Sequence, residues 1–183
     1  MKYLLNFKKY GKSIYISNND TLEEIERIIR RAKVPIEYTQ GFHSKIKLSI
    51  SQAVPLGYIN RALFIVLNTK KEYDFSKFNN FVSEGFKLIR YKSVGENYKL
   101  NIKYYKFKVY LSKNLFYLLE SQQSNDFFNE RFIDYSYEKN QKDIYVIKYK
   151  QEYNKIYNIW KLFNEVKEDF FFYPIVEDVI WGD

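Results

Sequence analysis

A chain of 183 residues can form one large domain or two small packed subdomains, and 46% hydrophobic with 28% charged residues is a globular balance that argues against disorder. With no cysteine and one histidine, disulfides, iron–sulfur clusters, cysteine-ligated zinc and histidine-rich metal sites are excluded, so neither metal nor cofactor is expected. The net charge of +8 is uneven: residues 1–100 carry 18 basic against 9 acidic residues and residues 101–183 carry 12 against 13, which points to an anionic partner on the first half.

The first eight residues, Met1–Lys8, are too short and too interrupted for a signal peptide, and no stretch approaches the length of a membrane span, so a cytoplasmic protein without membrane attachment is expected. Lys2–Lys9 and Ser13–Ser17 read as short strands around Tyr10-Gly11-Lys12. A helix follows over Thr21–Lys33, with Asp20 as N-cap and Glu23 completing a capping box. Leu22, Ile25, Ile28, Ile29 and Ala32 fall on one of its faces, and Val34-Pro35 ends it.

Ile36–Thr39 and Lys45–Ser51 read as strands flanking a loop at Gly41, the second with period-2 alternation. The apolar run in Arg61–Asn68 predicts a buried strand, and the phenylalanine spacing in Phe75–Leu88 predicts a helix. Gly95-Glu96-Asn97 is a boundary signal, giving subdomains 1–96 and 97–183. In the second half a strand is expected over Lys99–Leu111 and a helix over Asn114–Phe128, broken near 121–126. A hairpin of Phe132–Tyr137 and Asp143–Lys150, a helix over Tyr157–Val166 and a strand over Phe170–Ile180 complete it. Two successive β-α-β-type halves predict an α+β fold of two packed ferredoxin-like subdomains with antiparallel sheets.

Two neighbouring segments carry the chemistry. Arg27, Arg30, Arg31 and Lys33 decorate the end of the first helix; Glu23 and Glu26 can pair with Arg27 and Arg30, which leaves Arg31 and Lys33 for phosphate. In Gln40-Gly41-Phe42-His43-Ser44-Lys45, glycine permits close backbone approach, Lys45 and Lys47 add charge, and Phe42 and His43 can stack on a base. The bland account makes these a solvated helix face, a simple turn and a core phenylalanine, with lysine raised by an AT-rich genome. That bias leaves the near-neutral second half unexplained. Ala53–Tyr58 is a turn that could fold over the previous loop or merely connect strands. His43 could act as a general base, yet it has no evident carboxylate or nucleophile partner in the sequence. Tyr104, Tyr105, Tyr135 and Tyr137 are candidates for exposed rings.

Tyr38-Thr-Gln-Gly-Phe-His43, with Ile28-Ile-Arg-Arg-Ala32, Val34-Pro35, Ile46-Lys-Leu-Ser49 and Pro55-Leu-Gly57, resembles a bacterial radical-SAM-linked family of unknown function over residues 2–70. In that family the domain stands alone or follows a cobalamin-binding radical SAM module, and its genes often neighbour those for ribosomal proteins and ribonucleases. Two positions depart from the family pattern. Ser17-Asn18-Asn19-Asp20 stands where relatives have Ser-His-Leu-Asp, and Ser44-Lys45-Ile46 where they have Pro-x-Pro. Without cysteine the chain cannot ligate a radical SAM cluster itself, so a separate radical SAM or other modifying enzyme is the implied partner.

The leading expectation is a non-catalytic accessory protein that binds RNA, tRNA or rRNA, through Arg27, Arg30, Arg31, Lys33, Gln40, Gly41, Phe42, His43, Lys45 and Lys47. The alternatives are an adaptor delivering substrate to a modifying enzyme, and a metal-independent ribonuclease using His43.

Overall fold

The computed structural model describes residues 1–122, 126–139, 143–163 and 172–182. They form two compact units, Met1–Asn101 and Ile102–Asp183. Both are α+β, with antiparallel strands and few helices.

The first unit contains β1 (Lys2–Lys9), α1 (Asn18–Arg31), β2 (Leu48–Ile50), β3 (Ile59–Asn68) and β4 (Phe86–Val94). Its strands lie in the order β4-β1-β3-β2, each pair antiparallel. Alternation along β1 sends Tyr3, Leu5 and Phe7 into a core shared with Ile25, Ile28 and Ile29 of α1 and with Ala32, its C-cap. Each fully buried side chain of this size contributes roughly 1.5–3 kcal/mol of transfer free energy, so this stripe seats the helix on the sheet.

The helix begins one turn earlier than its charge pattern predicts. Ser17 is the N-cap: its hydroxyl accepts from the Asp20 N–H at 3.1 Å, and Asp20 accepts from the Ser17 N–H at 3.3 Å. Asp20 is therefore the third residue of the capping box, not its cap. At the other end the Lys33 N–H reaches the Arg30 carbonyl at 3.0 Å and the Val34 N–H reaches that of Ile29 at 3.3 Å. That is a Schellman closure, and it places Lys33 in the left-handed region at φ 54°.

Two expected elements are replaced. Ser13–Ser17 is not a strand: Gly11–Tyr15 is a 3-10 turn whose bonds close locally, as in Ile16 N–H to Ser13 O at 3.3 Å. Phe75–Leu88 is not a helix, because Gly85 turns the chain at φ 84° and β4 starts at Phe86. Phe78 enters the core from a short 3-10 turn, Phe78–Phe81, Phe75 from the irregular segment before it, and Phe86 and Leu88 from the strand. The Asn79 side chain stands in for a strand partner, donating to Leu88 O at 3.0 Å and accepting from Leu88 N–H at 2.9 Å.

The second unit contains β5 (Ile102–Ser112), α2 (Lys113–Gln122), α3 (Asp126–Arg131), β6 (Ile133–Lys139), β7 (Ile144–Glu152) and β8 (Phe172–Trp181). Its order is β8-β5-β7-β6, again antiparallel. Counted within each unit, both sheets run fourth, first, third, second. Tyr105, Phe107, Val109 and Leu111 alternate into the core, where Phe107 stacks on Tyr149 with centroids 5.0 Å apart. Tyr105 is thus a core ring, whereas Tyr137 is exposed. The helix expected over Asn114–Phe128 is two helices, with 123–125 outside the described residues. Part of the expected 138–141 turn, residues 164–166 of the expected 157–166 helix and the first two residues of the expected last strand also lie outside them. Within Tyr157–Val166 the described structure is a 3-10 turn, Ile159–Phe163.

Candidate nucleic-acid interface

Residues 36–47 form a narrow hairpin: of the two strands expected around Gly41, Lys45–Ser51 contains β2, whereas Ile36–Thr39 is held by single bridges. Its foot is set by single bridges, Ile36 to Thr69 and Tyr38 to Ile46, and by burial of Ile36 and Ile46 in the core. The stem closes through Thr39 N–H to Lys45 O and Lys47 N–H to Glu37 O, both 2.8 Å, with the Lys45 N–H also bonded to Thr39 Oγ1 at 3.0 Å. Beyond that ring of bonds Gln40, Gly41, Phe42, His43 and Ser44 all lie exposed. Gly41 makes the bend at φ 139°, a region open to glycine and costly for other residues. Phe42 is 99% exposed, so it is not a core residue. Among the described residues its ring contact is with His43, edge-on with centroids 5.1 Å apart at 84°.

The cations divide into two groups. Arg30 belongs to the hairpin side: it donates to the Tyr38 hydroxyl at 3.2 Å and lies 5.8 Å from that ring's centre, while also pairing with Glu26 at 3.6 Å. Lys47 pairs with Glu37 at 3.3 Å along the stem. Lys45 is exposed at the tip, and Lys33 is exposed at the helix end. Lys70, which sequence reasoning passed over, joins them because its N–H bonds to the Pro35 carbonyl at 2.7 Å beside the Ile36–Thr69 bridge. A groove of about 610 Å³ beside the stem is lined by Glu37, Tyr38, Thr39, Gln40, Lys47 and Lys70.

Arg27 and Arg31 belong elsewhere. Arg27 bonds Glu23 at 3.2 Å and Glu24 at 3.3 Å, and Arg31 bonds Glu24 at 2.8 Å and the Ser83 hydroxyl. Ser83 in turn donates to Glu24. Burial raises the Glu24 pKa, but the Ser83 hydroxyl and the two guanidiniums outweigh it and hold the carboxyl below its ordinary range. Arg31, expected to be without a partner, is therefore largely satisfied by a residue two turns back along the helix and by one distant in sequence.

The Pro55–Gly57 turn does not bond to the Gly41 loop; the Gly57 N–H goes to Ile14 O at 3.0 Å. Nearby, Lys9 is buried and donates to Ile16 O at 3.0 Å and Thr21 Oγ1 at 2.8 Å. Burial lowers its pKa to about 8, against a smaller opposing effect of Asp20. Among the described residues no group of His, Cys, Asp and Glu could hold a metal ion. Among those residues, too, no helix is long and apolar enough to cross a membrane. Among the described residues the contact given to the His43 ring is the edge-on one with Phe42.

Chemically, the hairpin offers a bare aromatic face, an imidazole, several ammonium groups and a groove mixing donors with one carboxylate. Among curated proteins none matches the chain. One solved structure, described as that of a candidate glycine cleavage system transcriptional repressor, is similar over 96% of this chain and 97% of its own, at 8% identity and a TM-score of 0.27, a likeness too slight to carry an inference. By contrast, the profile of a family described as an uncharacterized protein conserved in bacteria covers residues 2–179. The chain belongs to that family, DUF2344.

Proposed function

We propose that this protein is a non-catalytic RNA-binding accessory protein of the cytoplasm, gripping tRNA or rRNA with the hairpin 36–47 and the adjacent end of α1. The observation that carries this reading is Phe42, fully exposed at the tip of a finger whose stem and surroundings supply Lys33, Lys45, Lys47 and Lys70. Exposed aromatics interleaved with cations are the chemistry of base stacking combined with phosphate neutralisation. A separate radical SAM or other modifying enzyme, as the resemblance implies, would act on the bound RNA. We read both units as ferredoxin-like variants, a reading supported by their common strand order, with the second helix of the first unit reduced to the Phe78–Phe81 turn.

Binding should weaken steeply from about 50 to about 300 mM salt, and Lys33→Ala, Lys45→Ala and Lys70→Ala together should flatten that slope by about one per lost phosphate contact. No binding at the low-salt end, or an unchanged slope in the triple variant, would sink the proposal. The bare Phe42 ring also favours a second reading, an adaptor whose tip enters an apolar pocket of a modifying enzyme. A complex that survives nuclease treatment and is lost in Phe42→Ala would support it.

A further inference from the structure

The stem groove is not a plain phosphate track. Its Lys47 ammonium is paired with Glu37 at 3.3 Å, so the lining combines a carboxylate, a phenol, an amide and two ammonium groups. Such a lining suits a ligand that carries anionic oxygens together with hydrogen-bond donors, as a nucleotide does. A volume of about 610 Å³ is ample for one. Beside it, the Phe42 ring stands clear of the protein apart from its edge-on contact with His43. A flat apolar face on a narrow finger finds no matching surface on duplex RNA. The A-form major groove is too deep and narrow for side chains, and paired bases hide their faces in the stack.

We propose that the hairpin selects unpaired RNA: Phe42 stacks on an unstacked base, and the groove seats the neighbouring nucleotide. Lys47 and Lys70 meet its phosphate, and Glu37 and Gln40 meet ribose hydroxyl or base amino protons. This deepens, and rests on, the RNA-binding reading above, and it adds Glu37 to the site.

Fluorescence anisotropy on the full chain tests it with three probes: an unstructured RNA of about 12 nucleotides, the same sequence as an RNA duplex, and the same sequence as single-stranded DNA. The single-stranded RNA should bind about tenfold or more tighter than the duplex. Phe42→Ala should lose about tenfold on that probe and nothing on the duplex, and Phe42→Tyr should retain the affinity. Equal affinity for both RNAs, or an unaffected Phe42→Ala variant, would overturn the inference while leaving the RNA-binding reading intact. Single-stranded DNA binding as tightly as RNA would overturn the ribose contact. Failure of both RNAs to bind at about 50 mM salt would overturn the underlying reading and the inference together.

Discussion

The Arg30 guanidinium donates to the Tyr38 hydroxyl at 3.2 Å, tying the flank of α1 to the stem of the exposed hairpin. Because both partners are solvent-exposed, this bond should contribute at most about 0.5–1 kcal/mol. Tyr38→Phe keeps the ring and removes the acceptor. Its expected signature is local: faster amide hydrogen exchange at Thr39 and Lys45 with global stability almost unchanged. Unchanged exchange at both amides would show that Arg30 does not brace the hairpin.

Lys33 closes α1 from the left-handed region, a position that glycine occupies without strain. Lys33→Gly is therefore expected to stabilise the fold by about 0.5–1 kcal/mol in urea unfolding. The same change removes a cation from the proposed interface, so RNA affinity should fall while stability rises. A loss of both would mean that the lysine side chain contributes to packing.

Gly85 is sterically fixed. A Cβ there would overlap Ser13 Oγ and lie 2.7 Å from Ser13 Cβ, at a backbone φ of 84°. Gly85→Ala should cost about 2–4 kcal/mol, from overpacking plus backbone strain. Adding Ser13→Gly removes the overlap with that side chain but leaves the backbone strain and the 3.0 Å approach to the Tyr10 carbonyl oxygen, so the double variant should recover part of the loss. Recovery of none of it would place the whole cost in the backbone.

Lys9 gives stability a distinctive pH dependence. Its folded pKa of about 8 lies below the ordinary 10.5, so the unfolded chain binds more protons between those values. Stability should consequently rise from about pH 8 toward 10.5, and below pH 8 the buried ammonium weighs against the fold. Lys9→Met should flatten this rise. Tyr73 and Tyr98, whose pKa values are raised by burial, act oppositely at the alkaline end but do so in both proteins. Parallel pH curves for the two proteins would refute the assignment.

Much of the first unit was legible because its signals are periodic. The turn at Tyr10-Gly11-Lys12 bounded β1, and the stripe from Ile25 to Ala32 marked α1. The misread segment had a competing signal: Phe75, Phe78 and Phe86 match helical spacing, while Gly85 and the Phe86/Leu88 alternation belong to a strand. Ser17 with Asp20 and Asp20 with Glu23 both fit a capping box, and only the fold distinguishes them. At the site, the hairpin announced itself through Gly41 but the direction of Phe42 did not, since a five-residue tip has no period. Which flank of α1 faces the hairpin, and hence why Arg30 reaches it and Arg31 does not, depends on tertiary placement. Lys70 entered through the Ile36–Thr69 bridge, which joins residues far apart in the chain.

That bridge and the one between Tyr38 and Ile46 are the hairpin's only strand-type pairings among the described residues, and both lie below its tip. Apart from Gly41, whose φ of 139° favours glycine, residues 40–44 can therefore be exchanged with little penalty to folding. The finger is a tip on a fixed handle, so its end can be altered to change what it grips without disturbing the core beneath it.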